Sequence, residues 1–287
     1  MNCSIANVQF KAQDDYPLRG MYYACKKPKA QIVLASATGV PQGFYQRYAF
    51  AANASGFNVL TFDYRGIGQS KPRSLKGFEM DYLDWGRMDL AAAINTSYEY
   101  HLPMFVVGHS YGGHAVGLLP NHHLIQGAYV FGAGAGWSGW MPVLERAKVE
   151  FMWRVIAPVI VKQHGYLAWN KLGMGEDLPK NVYRQWKHWC KNPHYFFDDA
   201  SMQHMHEVYA RFDKPLVAAN ATDDKWAMPR SRDAFFKFYT NADLRVLDIN
   251  PQSIGVKRID HMGYFKRFAQ PLWQNTFEWI ETLVKKI

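Results

Sequence analysis

The stretch Met104–Gly113, with the sequence M-F-V-V-G-H-S-Y-G-G, constrains the fold of this 287-residue chain more than any other. A short apolar run ends in the pattern G-x-S-x-G, which has Ser110 at its centre, and a helix-compatible segment, Gly113–Leu119, follows. A serine at a sharp turn between a strand and a helix has a strained backbone and an exposed hydroxyl. The N–H groups at the start of such a helix can stabilise a negative charge. The stretch therefore predicts a nucleophilic serine at a strand-to-helix turn.

One other serine stands in a similar context. Ser70 follows Gly68 and Gln69, but Pro72 occupies the place of the second glycine, and the preceding segment is a loop. A structural role is therefore expected for Ser70.

Composition sets the class of protein. Hydrophobic residues make up 48% of the chain and charged residues 20%, which is enough for a large core in one α/β domain with an insertion, or in two small domains. The net charge is +9, yet the basic residues are scattered, so no nucleic-acid partner is expected.

Three cysteines, Cys3, Cys25 and Cys190, favour a reducing compartment. Met1–Asp14 lacks the pattern of a signal peptide, and no apolar run is long enough for stable membrane insertion, so the cytoplasm is the expected location.

Apolar runs alternate with amphipathic segments along most of the chain, which is typical of βαβ units and a mostly parallel sheet covered on both faces. Asn7–Gln13 and Leu18–Cys25 alternate polar and apolar residues and predict an antiparallel hairpin at one edge. The predicted parallel strands are Gln31–Ala37, Asn58–Phe62, Met104–Val107, Leu124–Gly132, Pro215–Ala219 and Leu244–Ile249. The predicted helices are Phe44–Ala54, Asp81–Tyr98, Ser231–Tyr239 and Pro271–Val284.

The alternation stops between residues 134 and 211. This segment has no obvious strand and is rich in tryptophan, and Val143–Val155 and Asn181–Lys191 have helical periodicity. We therefore expect an α/β core domain formed by residues 1–133 and 212–287, with residues 134–211 inserted as a helical lid.

A serine nucleophile needs a base to accept its proton and an acid to orient that base. Asp223 and Asp224 follow a predicted strand, and His261 lies in a loop after the last one. The carboxyl ends of parallel strands share one edge of the sheet, where ligands bind. These side chains are therefore expected beside Ser110.

These motifs together resemble the α/β-hydrolase superfamily over nearly the whole chain. The stretch G-H-S-Y-G-G is similar to the nucleophile elbow of its lipases and esterases, and Asp63–Ser70 to its D-x-R-G-x-G-x-S loop. The pattern is nearest to cytosolic serine hydrolases of bacterial type, in the serine-aminopeptidase-like and monoacylglycerol-lipase-like group. The family often has His-Gly in its oxyanion loop, where this chain has Thr38-Gly39. The resemblance implies backbone N–H donors at Val40 and Tyr111, which do not depend on that side chain.

The resemblance also bears on which aspartate orients His261. The family has an aspartate, two or three mixed residues and then proline after this strand. The segment from Asp224 to Pro229 fits that pattern better than one starting at Asp223. Asp224 is therefore predicted as the acid of the triad, and Asp223 is expected to hold the turn by bonding its own backbone.

Three functions are compatible with these residues. The first is a serine hydrolase that cleaves an ester, thioester or amide of a small hydrophobic substrate through an acyl-enzyme, without a metal or an organic cofactor. The second is an acyltransferase with the same triad, and the third is a non-catalytic binding protein on a hydrolase fold. The oligomeric state is left open.

Other polar residues have simpler expected roles. His109 is predicted to pack in the elbow without titrating in catalysis, and Asp89 to be a surface or capping charge on its helix. His204 and His206 form H-x-H, but without a cysteine or carboxylate pattern around them a metal site is not expected.

Overall fold

The structure is a computed structural model that describes residues 4–99, 101–173 and 175–287, so Cys3 lies outside the described residues. In this part of the chain, eight strands form one sheet in the order β1-β2-β4-β3-β5-β6-β7-β8. Their bounds are β1 Ser4–Lys11, β2 Pro17–Ala24, β3 Ala30–Ala35, β4 Phe57–Asp63, β5 Met104–His109, β6 Gly127–Phe131, β7 Pro215–Ala221 and β8 Asp243–Ile249.

The sheet is antiparallel at one edge and parallel elsewhere. β1 pairs with β2 and β2 with β4 in antiparallel register, and every pairing from β4 to β8 is parallel. β3, β4, β5 and β6 are buried along their whole length, as expected for parallel strands with helices on both faces. The predicted hairpin and the mostly parallel sheet are confirmed.

Two hydrophobic cores lie on the two faces of the sheet. One core contains Tyr48 of the first helix and Trp273 and Phe277 of the last. The other contains Ile94 and Phe235, together with much of the segment between β6 and β7.

The α-helices are α1 Gln46–Ala54, α2 Ala91–Ser97, α3 Tyr111–Gly117, α4 Val143–Phe151, α5 Ala157–His164, α6 Lys180–Trp189, α7 Met205–Ala210, α8 Pro229–Phe236 and α9 Gln270–Val284. No helix within the described ranges is long and apolar enough to cross a membrane.

The segment of residues 132–214, between β6 and β7, is referred to below as the insertion. It contains α4 to α7, and a π-helical stretch, Met152–Ile156, joins α4 to α5. Its only described strand pairing is an isolated antiparallel bridge between Leu167 and Leu178. Trp153, Trp169 and Trp186 contact one another with ring centroids 5.0–6.3 Å apart and form its aromatic core.

The predicted helix Asp81–Tyr98 is shorter than expected and begins irregularly. A π-helical stretch, Trp85–Leu90, leads into α2. Two residues of this stretch contact Arg65. The Trp85 indole N–H donates to the Arg65 carbonyl at 2.9 Å, and Asp89 Oδ1 accepts from Arg65 Nε.

Asp89 is fully buried, so the prediction of a surface or capping charge is wrong. Its Oδ1 accepts from Arg65 Nε and its Oδ2 from the Arg65 backbone N–H, both at 2.8 Å. The Arg65 guanidinium also contacts Asp14 at 2.6 Å. Burial raises the pKa of Asp89 to about 6, against the opposing charge of Arg65. The ion pair fixes the loop that carries Arg65, and helical periodicity alone could not reveal a partner 24 residues away.

Candidate active site

The turn after β5 holds Ser110 in an unusual backbone conformation. Its φ is 52° and its ψ is −111°, and it is one of few non-glycine residues with positive φ in the described chain. A Cβ atom on Gly112 would lie 2.1 Å from the carbonyl oxygen of Ala35, so only glycine fits there. The Ser110 N–H donates to the Phe131 carbonyl at 2.8 Å, which ties the turn to β6. The G-x-S-x-G pattern therefore forms the sharp strand-to-helix turn that it predicted.

Three predicted side chains meet at the carboxyl edge of the sheet. His261 Nε2 lies 3.0 Å from Ser110 Oγ, and His261 Nδ1 lies 2.9 Å from Asp224 Oδ2. Asp224 comes three residues after β7, and His261 is in the loop after β8. The parallel register of β5 to β8 brings to one edge residues that are up to 151 positions apart.

Asp224 is fully buried, and its carboxylate accepts hydrogen bonds from four groups. Besides His261, these are the backbone N–H groups of Trp226 and Ala227, each at 3.0 Å, and the Tyr264 hydroxyl at 2.9 Å. Burial by itself would raise the pKa of Asp224, but the charge of His261 and these hydrogen bonds hold that pKa below its usual value. The carboxylate is therefore ionised at neutral pH.

Asp223 points to a different part of the same site. Its Oδ2 accepts from the backbone N–H groups of Ile259 at 2.9 Å and Asp260 at 3.3 Å. These residues immediately precede His261. The expectation that Asp223 bonds its own turn is thus wrong, because the loop after β8 lies next to the end of β7 and supplies both backbone donors. Asp223 holds the loop that carries His261.

His109 is fully buried and links two loops of the site. Its Nε2 lies 2.8 Å from the His261 carbonyl oxygen and its Nδ1 lies 2.9 Å from the Tyr45 hydroxyl. A carbonyl only accepts, so Nε2 carries the proton and the Tyr45 hydroxyl donates to Nδ1. The same hydroxyl accepts the Ala37 N–H at 2.8 Å. Burial lowers the pKa of His109 to about 3, so the ring is neutral, in agreement with its predicted packing role.

The two predicted oxyanion donors differ in their present partners. Tyr111 is the first residue of α3, so its N–H has no acceptor within the helix. The Val40 N–H donates to the Ala37 carbonyl at 3.2 Å, and Gly39 in this turn has a φ of 69°. Among the described residues the Tyr111 N–H has no hydrogen-bond acceptor, whereas an oxyanion would have to share the N–H of Val40 with Ala37.

A cavity of about 490 Å³ opens over Ser110 and His261. Its walls are mainly aromatic and apolar and come from both the core and the insertion, including Trp169, Trp186 and Trp226. Thr38, which stands where the family often has histidine, also lines the cavity, and its hydroxyl is hydrogen-bonded to that of Tyr82.

Sequence reasoning missed several residues that support this site. Tyr45 lies 64 positions before its partner His109, and no local pattern distinguishes it from other core tyrosines. Tyr264 offers a weak signal, since it comes three residues after His261 and hydrogen-bonds to the carboxylate of Asp224.

No group of three or more histidine, cysteine or acidic residues is arranged to bind a metal ion within the described residues. His206, the second histidine of the H-x-H pair, has its Nε2 3.2 Å from the Phe197 carbonyl.

The fold and the site define an α/β-hydrolase. The family model described as serine aminopeptidase, S33, matches residues 26–250, and the chain therefore belongs to that family of hydrolases. No protein among the curated sequences matches significantly.

Solved structures share the fold at low sequence identity. A soluble variant of monoglyceride lipase from Saccharomyces cerevisiae is similar, with 16% identity, a TM-score of 0.69, and coverage of 98% of this chain and 96% of that chain. An esterase from Pyrococcus furiosus has 14% identity and a TM-score of 0.63, covering 97% of this chain and 91% of its own. An esterase domain from Rhodothermus marinus has 17% identity, a TM-score of 0.58, and coverage of 98% and 99%.

His109 and a second buried histidine make stability depend on pH. His114 donates from Nε2 to the Gly134 carbonyl at 2.9 Å, and burial lowers its pKa from 6.5 to about 4. Between these values the unfolded chain binds the proton and the folded chain does not, so acid destabilises the fold. Replacing His114 with glutamine removes the contribution of this histidine to the loss of stability in acid. We expect the stability deficit of His114→Gln relative to the native protein to shrink as the pH falls from 6 to 4.5, by at most about 1.4 kcal/mol per pH unit.

Urea denaturation of both proteins at matched ionic strength measures this difference. A deficit that is constant over this pH range would contradict the prediction.

Proposed function

We propose that Ser110, His261 and Asp224 form the catalytic triad of a serine hydrolase that cleaves carboxylic esters of hydrophobic compounds. The observation that carries the proposal is the continuous hydrogen-bonded chain from Ser110 Oγ through both nitrogens of His261 to a buried carboxylate.

The reaction follows from these contacts. Ser110 Oγ attacks the ester carbonyl carbon while His261 Nε2 accepts the hydroxyl proton. The carbonyl oxygen becomes an oxyanion, which is stabilised by the N–H of Tyr111, with Val40 as the second donor. The tetrahedral intermediate collapses, the carbon–oxygen bond to the alcohol breaks, and His261 gives its proton to the leaving alcohol. Water then attacks the acyl-serine by the same steps in reverse, which releases the acid and restores the serine.

Asp224 acts through His261. Its ionised carboxylate accepts the Nδ1–H, which leaves Nε2 unprotonated and facing Ser110. When His261 becomes positively charged, the negative charge of Asp224 stabilises it. Asp223 and His109 hold the backbone of the His261 loop and take no part in the proton transfer.

The cavity favours an apolar ester over the amide of an N-terminal amino acid. An aminopeptidase must bind the ammonium group of its substrate, and a carboxylate is the usual partner of a buried cation. Among the described residues that line the cavity, none is acidic, and none is lysine or arginine. The structural similarity to a monoglyceride lipase and to two esterases supports this choice.

We further propose that residues 134–211, which make up most of the insertion, form a lid and that the core comprises residues 1–133 and 212–287. Trp169 and Trp186 belong to the insertion and line the cavity, while Ser110 belongs to the core. Opening of the lid would let a substrate enter the cavity over Ser110. A cytoplasmic location remains a prediction from the cysteine content.

A series of p-nitrophenyl esters tests the substrate class. We expect kcat/KM to rise from the acetate towards medium-length acyl chains by about fourfold per methylene buried, because each adds about 0.8 kcal/mol of apolar transfer energy. Aminoacyl p-nitroanilides, which are aminopeptidase substrates, serve as the comparison, and their rates should be far lower.

The same assays define the contrary results. Fastest hydrolysis of the acetate would mean that the aromatic walls leave no room for a longer chain, and faster cleavage of the anilides would identify an aminopeptidase. An acceptor alcohol added to the assay separates hydrolysis from acyl transfer.

A further inference from the structure

The outer face of α6 carries an unusual concentration of positive charge. Its basic residues are spaced at i, i+4, i+7, i+8 and i+11, which places them on one side of the helix and its immediate extension. They are Lys180, Arg184, Lys187, His188 and Lys191. No acidic residue occurs anywhere between residues 178 and 197.

This face lines a second cavity, of about 640 Å³, between α5 and α6. Lys162 of α5 adds a further cation from the opposite wall, while Pro158, Val161 and Tyr183 supply apolar surface. No acidic residue is among the described residues that line it. This cavity is called the basic groove below.

The cations of the basic groove have few partners. In the described ranges, the ion pairs include His188 with Asp199 at 3.0 Å, but none formed by Lys180, Arg184 or Lys187. Like charges three or four positions apart destabilise a helix. Burial and the charges of nearby basic residues also lower the pKa of Lys187. Lys187 Nζ donates to the Tyr183 hydroxyl at 3.4 Å and lies over its ring, but neither contact supplies a negative charge. The arrangement therefore suits a ligand that supplies the missing negative charge.

We propose that the basic groove is a binding site for a phosphate group carried by a small molecule or a lipid. The Arg184 guanidinium offers paired N–H donors that match phosphate oxygens, and lysines on both walls can surround the remaining charge. The groove is concave, with cations that converge from two helices. That shape fits a compact anion better than the broad face of an acidic protein.

The basic groove is separate from the catalytic site. Its described lining residues do not overlap with those of the cavity over Ser110. The two cavities lie on different faces of α6, because Trp186 lines the catalytic cavity while Tyr183 and Lys187 line the groove. The inference therefore does not depend on the proposed esterase activity, and a binding measurement tests it alone.

Calorimetric titration with inorganic pyrophosphate tests the site. The native protein is compared with Arg184→Gln/Lys187→Gln and with the control Lys26→Gln/Lys27→Gln. The control removes two exposed charges from the β2–β3 connection, at the opposite end of the parallel strands. We expect the native protein and the control to bind alike, and the groove variant to lose at least about tenfold in affinity. Circular dichroism and melting temperature establish that each variant is folded.

A second measurement identifies the source of the phosphate. Co-sedimentation is measured with phosphatidylcholine vesicles, with and without phosphatidic acid. Binding to the acidic vesicles that the groove variant loses would assign the site to a lipid headgroup, whereas pyrophosphate binding without vesicle binding would assign it to a free phosphorylated compound.

Three results would overturn the proposal. They are no binding of pyrophosphate or acidic vesicles by the native protein, an equal loss in the control, and tighter groove-dependent binding of poly-glutamate than of pyrophosphate. The last would point instead to an acidic protein partner.

Discussion

Replacing Ser110 with alanine is expected to abolish labelling by a fluorophosphonate probe and to lower kcat for esters by about 10⁶. The probe reacts with a serine hydroxyl whose proton can pass to a base, and His261 Nε2 lies 3.0 Å from Ser110 Oγ. The backbone donors of the oxyanion hole remain in this variant, so a small residual rate above that of water is expected.

Ser70 offers a matched control for this experiment. It is also preceded by a G-x pair, but its Oγ accepts the Arg19 N–H at 3.0 Å and its side chain is buried. Ser70→Ala should keep its labelling and most of its activity, while losing some stability. If labelling persisted in Ser110→Ala, the nucleophile would have to be assigned elsewhere.

The sheet could be predicted from sequence because burial leaves a strong local signal. Parallel strands such as β3 and β5 are mostly apolar and are buried along their whole length, and the observed strands start and end within a few residues of the predicted ones. Ser110, the aspartates and His261 follow β5, β7 and β8, and the parallel arrangement of these strands brings them to one edge of the sheet.

The parts that could not be predicted depend on contacts between distant loops. Asp89 looked like an exposed helix residue because its partner, Arg65, belongs to another loop. Asp223 bonds the backbone of Ile259, and backbone donors leave no mark in the sequence of either segment. The link from Ala37 through Tyr45 to His109 likewise joins three segments that only the folded sheet brings together.

The two adjacent aspartates provide the sharpest test of the proposed mechanism. In Asp224→Asn, an amide can face His261 Nδ1 with its NH₂ group, which favours the tautomer that has its proton on Nε2. That nitrogen then cannot accept the Ser110 proton, and we expect kcat to fall by about 10⁴ with the fold retained.

Asp223→Asn is the matched control, because it makes the same chemical change one residue away. An asparagine oxygen can still accept the backbone N–H groups of Ile259 and Asp260, so the His261 loop should keep its position. We expect kcat within about tenfold of the native value and a larger effect on melting temperature than on rate. Both variants are compared by kcat and by thermal unfolding. A large loss of kcat in Asp223→Asn, together with near-native kcat in Asp224→Asn, would reverse the two roles, since His261 would then take its orientation from the carboxylate of Asp223.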